Sequence, residues 1–171
     1  MSKRYKKPKR TAARFAKSIP TIELVIDRIG GKGDGVSEIN KIPNTPSEQK
    51  QTYFVPGALP GEHVIARPVS KANEGIFGQL LEIIKVSDDR VTAPCLYFGV
   101  CGGCSLQHWA PTSYQKWKVA RIKSAITKIS SPNTIVDNLV PAKAETRRRA
   151  DLSVRYLKTK SVLGFYERDS N

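Results

Sequence analysis

Apolar and polar positions alternate in short runs along the first half of the chain. Ile22, Leu24 and Ile26 alternate with Glu23, Val25 and Asp27, the period-two signature of a half-buried strand. Gly30, Gly31, Gly33 and Gly35 interrupt the run and predict a turn that needs backbone with φ > 0. No Gly-Lys-Ser/Thr follows them and they do not form GxGxxG, so the cluster is not a phosphate loop. Further strands are predicted over Val36–Ile39, Thr52–Val55, Glu62–Val69 and Ile76–Val86, separated by the Pro43–Ser47 loop, the Pro56–Gly61 turn and Asn73–Gly75. Short strands joined by Gly- and Pro-rich turns predict a small closed barrel, with a five-stranded OB-like barrel as the natural candidate and SH3-like barrels still open.

The pattern changes after residue 110. Thr112-Ser113-Tyr114-Gln115 fits a capping box with Pro111 just ahead of it. Val119, Ile122, Ile126 and Ile129 then recur at helical spacing, a stripe expected to face a core. Lys116, Lys118, Arg121, Lys123 and Lys128 spread over the remaining surface, and Ser130–Asn133 end the helix. Ala150, Leu152, Val154 and Tyr156 restore the two-residue period, Lys158–Ser161 form a polar turn, and Val162–Tyr166 return as a second strand. Two strands are marginal alone, so this hairpin reads as the opening of an incomplete second domain. The expected fold is mainly β with one helix. The expected divisions are an arm over 1–18, a barrel over 19–92, a cysteine-rich loop over 93–110, and a helix with a partial domain over 111–171.

Composition sharpens this picture. The chain has 171 residues and 39% apolar content, enough for one domain or two small ones but low for a large core. No apolar run reaches the roughly 18 residues that span a bilayer, so no membrane partner is expected and the location is expected to be cytoplasmic. The net charge of +14 is uneven. Residues 1–20 hold eight basic residues and no acid, residues 21–110 hold eight basic and ten acidic, and residues 111–171 hold thirteen basic and five acidic. The arm, with Lys3, Arg4, Lys6, Lys7, Lys9 and Arg10, lacks the apolar content to order itself. Its expected partner is a polyanion, because each cation near a nucleic acid releases a condensed counterion. A solubilising tail and a transit peptide are the competing readings of the arm. Arg147, Arg148 and Arg149 form a second candidate phosphate contact, since three consecutive arginines cannot all face a core. Tyr53, Phe54, Tyr97, Phe98 and Trp109 could stack on bases where exposed, with core packing the competing reading.

Cys95, Cys101 and Cys104 read C-x5-C-x2-C. An odd number of clustered cysteines does not form a disulfide framework. Thiolates are soft ligands suited to zinc or an iron–sulfur cluster. Gly102 and Gly103 permit close backbone approach and leave amides free to bond sulfur. Structural zinc with His108 as a fourth ligand, a cluster with its fourth cysteine elsewhere, and plain unliganded thiols all remain open. Only His63 and His108 are present, with no carboxylate cluster beside either, which gives no support to a hydrolase.

The order of these motifs resembles a known family. A Gly-rich turn, Tyr53-Phe54-Val55-Pro56-Gly57-Ala58-Leu59-Pro60-Gly61-Glu62, Arg90, and Cys101-Gly102-Gly103-Cys104-Ser105-Leu106-Gln107-His108 resemble the N-terminal half of the bacterial RNA uracil-5-methyltransferases, especially the 23S ribosomal RNA group. Arg147-Arg148-Arg149-Ala150 and Gly164-Phe165-Tyr166 are similar to its central RNA-contacting domain. The resemblance covers residues 20 to 171. It implies that the five-stranded segment is a TRAM domain, an OB-like RNA-binding barrel. It also implies a 4Fe–4S cluster ligated by Cys95, Cys101 and Cys104, with a fourth cysteine absent from this chain. The family's S-adenosylmethionine domain and catalytic cysteine are absent too, so the chain is expected to be truncated before the methyltransferase domain and inactive alone. The implied function is RNA binding within rRNA modification. A stand-alone, zinc-containing RNA-binding module is the alternative.

Overall fold

A computed structural model describes residues 13–16, 19–39, 50–127, 129, 134–143, 146 and 148–168. The chain divides into two compact units, Met1–Val86 and Ser87–Asn171.

The first unit contains β1 (Ala13–Arg14), β2 (Ile22–Val25), β3 (Arg28–Ile29), β4 (Gly35–Ile39), β5 (Gln51–Val55), β6 (His63–Ala72) and β7 (Gly75–Lys85). The strand order is β1-β6-β7-β5-β4-β3, with β2 also paired to β6. Only β5 and β7 run parallel; the other pairs are antiparallel. The two residues between β2 and β3 continue the pairing. Ile26 N–H donates to Glu62 O at 2.9 Å and Asp27 N–H donates to Val36 O at 2.8 Å. Residues 22–29 therefore act as one bent strand, bonded to β6 by its first half and to β4 by its second. The path of hydrogen bonds from residues 22–25 through β6, β7, β5 and β4 thus returns to residues 27–29, a barrel-like arrangement.

Alternation along these strands fills the interior. Leu24, Ile26, Tyr53, Val55, Ala58, Val64, Ala66 and Ile76 form one buried cluster. Register shifts in the β6–β7 pair fall between His63 and Val64, Ile65 and Ala66, and Pro68 and Ser70. Such bulges bend a long hairpin, and one lies beside Pro68, which has no N–H to give a ladder. In the predicted glycine turn, Gly33 takes φ of 92°.

One boundary differs from the sequence reading, which places residues 13–16 within a disordered arm. Ala13 pairs with Lys71 and Arg14 with Ser70, Phe15 N–H donates to Val69 O at 2.8 Å, and Phe15 packs against the core. Phe15 stands among alanines and cations with no other large apolar residue from Thr11 to Ser18, so local composition does not signal its packing. Lys3, Arg4, Lys6, Lys7, Lys9 and Arg10 lie outside the described residues.

An exposed charge cluster ties β4 to its neighbours. Glu38 accepts from Lys50 Nζ and from Arg28 Nη2, each at 2.6 Å. Lys50 and then Arg28 hold its carboxyl below the usual carboxylate range. A lowered folded-state pKa contributes stability above the unfolded-state value and loses it as pH falls through the folded one. The urea-midpoint difference between the wild type and Glu38→Gln is thus expected at neutral pH and should vanish in acid. A difference that ignores pH would show that the ion pairs add nothing.

The second unit begins with an irregular segment in which Val91 N–H donates to His108 O at 2.9 Å and Ala110 N–H donates to Asp89 O at 2.8 Å. Helix α1 (Pro111–Ile126) follows. Its start corrects the capping-box expectation: Ala110 is the N-cap, Pro111 sits in the first turn, and no side chain caps the end. Proline presets the helical φ and has no N–H to satisfy. The apolar stripe also differs from expectation. No residue of α1 is buried, and Ile122 and Ile129 are 45% and 87% exposed. The helix ends at Ile126, short of Ile129, and no layer of described residues in this unit covers the face that carries Val119, Ile122 and Ile126. Strands β8 (Ser153–Tyr156) and β9 (Ser161–Gly164) form the predicted hairpin, closed where Leu157 N–H donates to Lys160 O at 2.8 Å. No described helix is long and apolar enough to cross a membrane.

Candidate functional site

The cysteine segment is a chain of tight turns docked on the residues that follow β9. Phe98 N–H donates to Cys95 O at 3.0 Å, and Cys101 N–H donates to Tyr97 O at 2.9 Å. Gly102 N–H donates to Tyr166 O at 2.8 Å, and Arg168 N–H donates to Val100 O at 2.7 Å. A Cβ on Gly102 would lie 3.0 Å from Tyr166 O, so this approach is available to glycine alone without displacement. The Arg168 guanidinium adds a hydrogen bond to Cys104 O at 2.8 Å. Its Cζ also sits 5.8 Å from the Phe98 ring centre. Phe98 in turn packs on His108, with centroids 5.0 Å apart.

The three thiols lie at different depths. Cys95 is exposed, and Cys101 and Cys104 are half-buried. Leu96 and Tyr97 beside Cys95 are 98% and 72% exposed. Gly103 N–H donates to Cys101 Sγ at 3.4 Å, the amide-to-sulfur bond that stabilises thiolate and sulfide charge in metal centres. The donor set thus suits a soft metal. Its side chains are not drawn together, however: among the described residues no group of three Cys, His, Asp or Glu is placed to hold a metal ion. His108 is 4% exposed and packed on Phe98, set among the loop's hydrophobic contacts.

No model of a known protein family matches the chain. Individual relatives do. The chain is 34% identical over 149 residues to an uncharacterised RNA methyltransferase of Caulobacter vibrioides, covering 86% of this chain and 33% of that protein. It is 33% identical over 152 residues to the 23S rRNA (uracil(1939)-C(5))-methyltransferase RlmD of Acidithiobacillus ferrooxidans, covering 87% of this chain and 32% of that protein. With RlmD of Acinetobacter baylyi it shares 33% identity over 170 residues, 95% of this chain and 36% of that one. By sequence the chain is a relative of bacterial RNA methyltransferases, those of stated specificity being 23S rRNA (uracil-C5)-methyltransferases. It spans about a third of the length of the curated relatives it matches.

Among the residues that the sequence pattern assigns to RNA in this methyltransferase relative, Arg148 and Arg149 are exposed in an irregular segment before β8, and Arg147 lies outside the described residues. Four of the five candidate stacking aromatics are instead buried or half-buried. Tyr53 and Trp109 are buried, and burial raises the Tyr53 phenol pKa. Phe54 stacks on Phe77 at 5.1 Å, Phe98 lies between Arg168 and His108, and only Tyr97 is exposed. Two structural residues carry no local sequence signal for their roles. Arg168 reaches Cys104 across 64 positions, a pairing no short window can show. Glu62 opens a predicted strand just after the Pro56–Gly61 turn, and alternation there gives no reason to bury a charged residue, yet it is fully buried.

Proposed function

We propose that this chain is the RNA-binding and iron–sulfur-binding portion of an S-adenosylmethionine-dependent methyltransferase acting in rRNA modification. Its first unit is the TRAM-type barrel. Cys95, Cys101 and Cys104 are cluster ligands, and Arg147–Arg149 together with the N-terminal cations contact phosphate. The observation that carries the metal assignment is the Cys101–Cys104 turn, with its amide-to-sulfur bond and its docking on Tyr166 and Arg168. Gly102 permits the close approach, Gly103 supplies the amide, and Arg168 holds the Cys104 carbonyl. A bound 4Fe–4S cluster would tie the Cys95–Cys104 loop together through its three thiolates rather than take part in methyl transfer. The chain's own residues recognise and position RNA.

The test is anaerobic purification followed by iron, acid-labile sulfide and zinc analysis with a visible spectrum. A brown protein carrying iron and sulfide is expected, with both lost in Cys101→Ser. A colourless protein with stoichiometric zinc, sensitive to His108→Ala, would overturn the cluster in favour of a Cys3His zinc site.

A further inference from the structure

Helix α1 carries Lys116, Lys118, Arg121 and Lys123 and no acidic residue. Like charges three or four residues apart on a helix repel, and no carboxylate pairs with Lys118 or Arg121 among the described residues. These two cations lie over aromatic rings. Arg121 Cζ is 5.4 Å from the Trp117 ring centre, and Lys118 Nζ is 5.7 Å from Trp117 and 5.4 Å from Tyr114. Tyr114, Trp117, Lys118 and Arg121 share one helix face by their spacing. The rings anchor that face: Trp117 sits 5.9 Å from Tyr114 and 6.0 Å from the buried Trp109.

We propose that this face of α1 is an RNA-docking strip that grips the phosphate backbone. The inference rests on the RNA-binding reading above and adds a contact surface separate from Arg147–Arg149 and the N-terminal cations. Trp117 is enclosed by Trp109, Tyr114, Lys118 and Arg121, so it acts as a platform rather than as a base-stacking surface. A guanidinium already held over an indole loses less freedom when it meets a phosphate. Contacts of this kind position RNA without reading its sequence. An acid-free, cation-bearing face complements a polyanion, and RNA is the polyanion that the chain's relatives act on by name.

The experiment is fluorescence anisotropy of the full chain with labelled oligouridylate and oligoadenylate across a salt series. The combined Lys118→Gln and Arg121→Gln variant is expected to weaken binding to both oligomers. It should also make the slope of log affinity against log salt shallower by about 1.4. Arg121→Lys keeps the charge and should keep the slope while weakening binding. Far-UV circular dichroism of each variant checks that α1 is intact. If the double variant keeps the wild-type slope while Arg148→Gln with Arg149→Gln flattens it, the α1 strip is wrong and the RNA-binding reading stands. A wild-type chain that binds neither oligomer at low salt overturns both. Loss of binding only to phosphatidylserine vesicles, with RNA binding unchanged, would assign the face to a membrane surface and overturn the proposal.

Discussion

Gly75→Ala is expected to destabilise the first unit by roughly 4 kcal/mol, from two costs of about 1–3 kcal/mol each, backbone strain and overpacking. Gly75 takes φ of 143° at the start of β7, where L side chains are strained. A Cβ there would also overlap the Thr52 carbonyl oxygen and come within 3.0 Å of the Phe54 ring. Thr52 belongs to β5, which pairs in parallel with β7 through Tyr53–Ile76 and Phe54–Phe77. Neither strand can retreat without opening the barrel at that junction. Gly61→Ala separates the two costs, because Gly61 takes φ of 81° with nothing within 4 Å of its added Cβ. It should lose only about 1–2 kcal/mol. For a unit of this size each kcal/mol moves Tm by roughly 4–8 °C, so thermal melts resolve the difference. Equal losses in the two variants would mean that the β5–β7 approach is not a tight contact.

A second large effect is expected at Glu62. Its carboxylate is fully buried and accepts from Leu59 N–H at 2.8 Å. Its own backbone returns to the same turn, with Glu62 N–H donating to Leu59 O at 3.2 Å, and its carbonyl accepts from Ile26 N–H. Glu62 therefore fastens the Pro56–Gly61 turn to the bend between β2 and β3, where the ring closes. Removing the acceptor leaves a buried donor unsatisfied, about 1–3 kcal/mol, and truncation adds a cavity penalty. Glu62→Ala should lose ~3 kcal/mol in urea unfolding. Glu62→Gln, which keeps an acceptor oxygen, should lose ~1 kcal/mol. Indistinguishable Ala and Gln variants would show that the hydrogen bond is not what holds the turn.

Both positions illustrate how far local pattern reaches. The strands around Leu24, Tyr53, Val64 and Ile76 were legible because a half-buried strand repeats every two residues. Gly33 was legible because a tight turn needs backbone freedom. The burial of Glu62 was not, since period-two patterning gives no reason to bury a charged residue until its partner at Leu59 is known. The α1 stripe shows the opposite failure. Val119, Ile122 and Ile126 correctly announce a helix, which stops before Ile129, but periodicity describes one face and says nothing of what covers it. Phe15 fails for a third reason, because one large apolar residue among alanines and cations has no periodicity to reveal it.

Composition and spacing thus determined the elements, the uneven charge, the soft donor set and, through the cysteine string, the family resemblance. All of these depend on residues a few positions apart. The ring closure through residues 22–29, the β5–β7 approach at Gly75, the clasp of Arg168 on Cys104 and the seating of Arg121 over Trp117 were decided by the tertiary structure. The first three join segments distant in the chain. The fourth depends on Trp109 and Tyr114 holding the indole in place, which helix spacing alone does not specify.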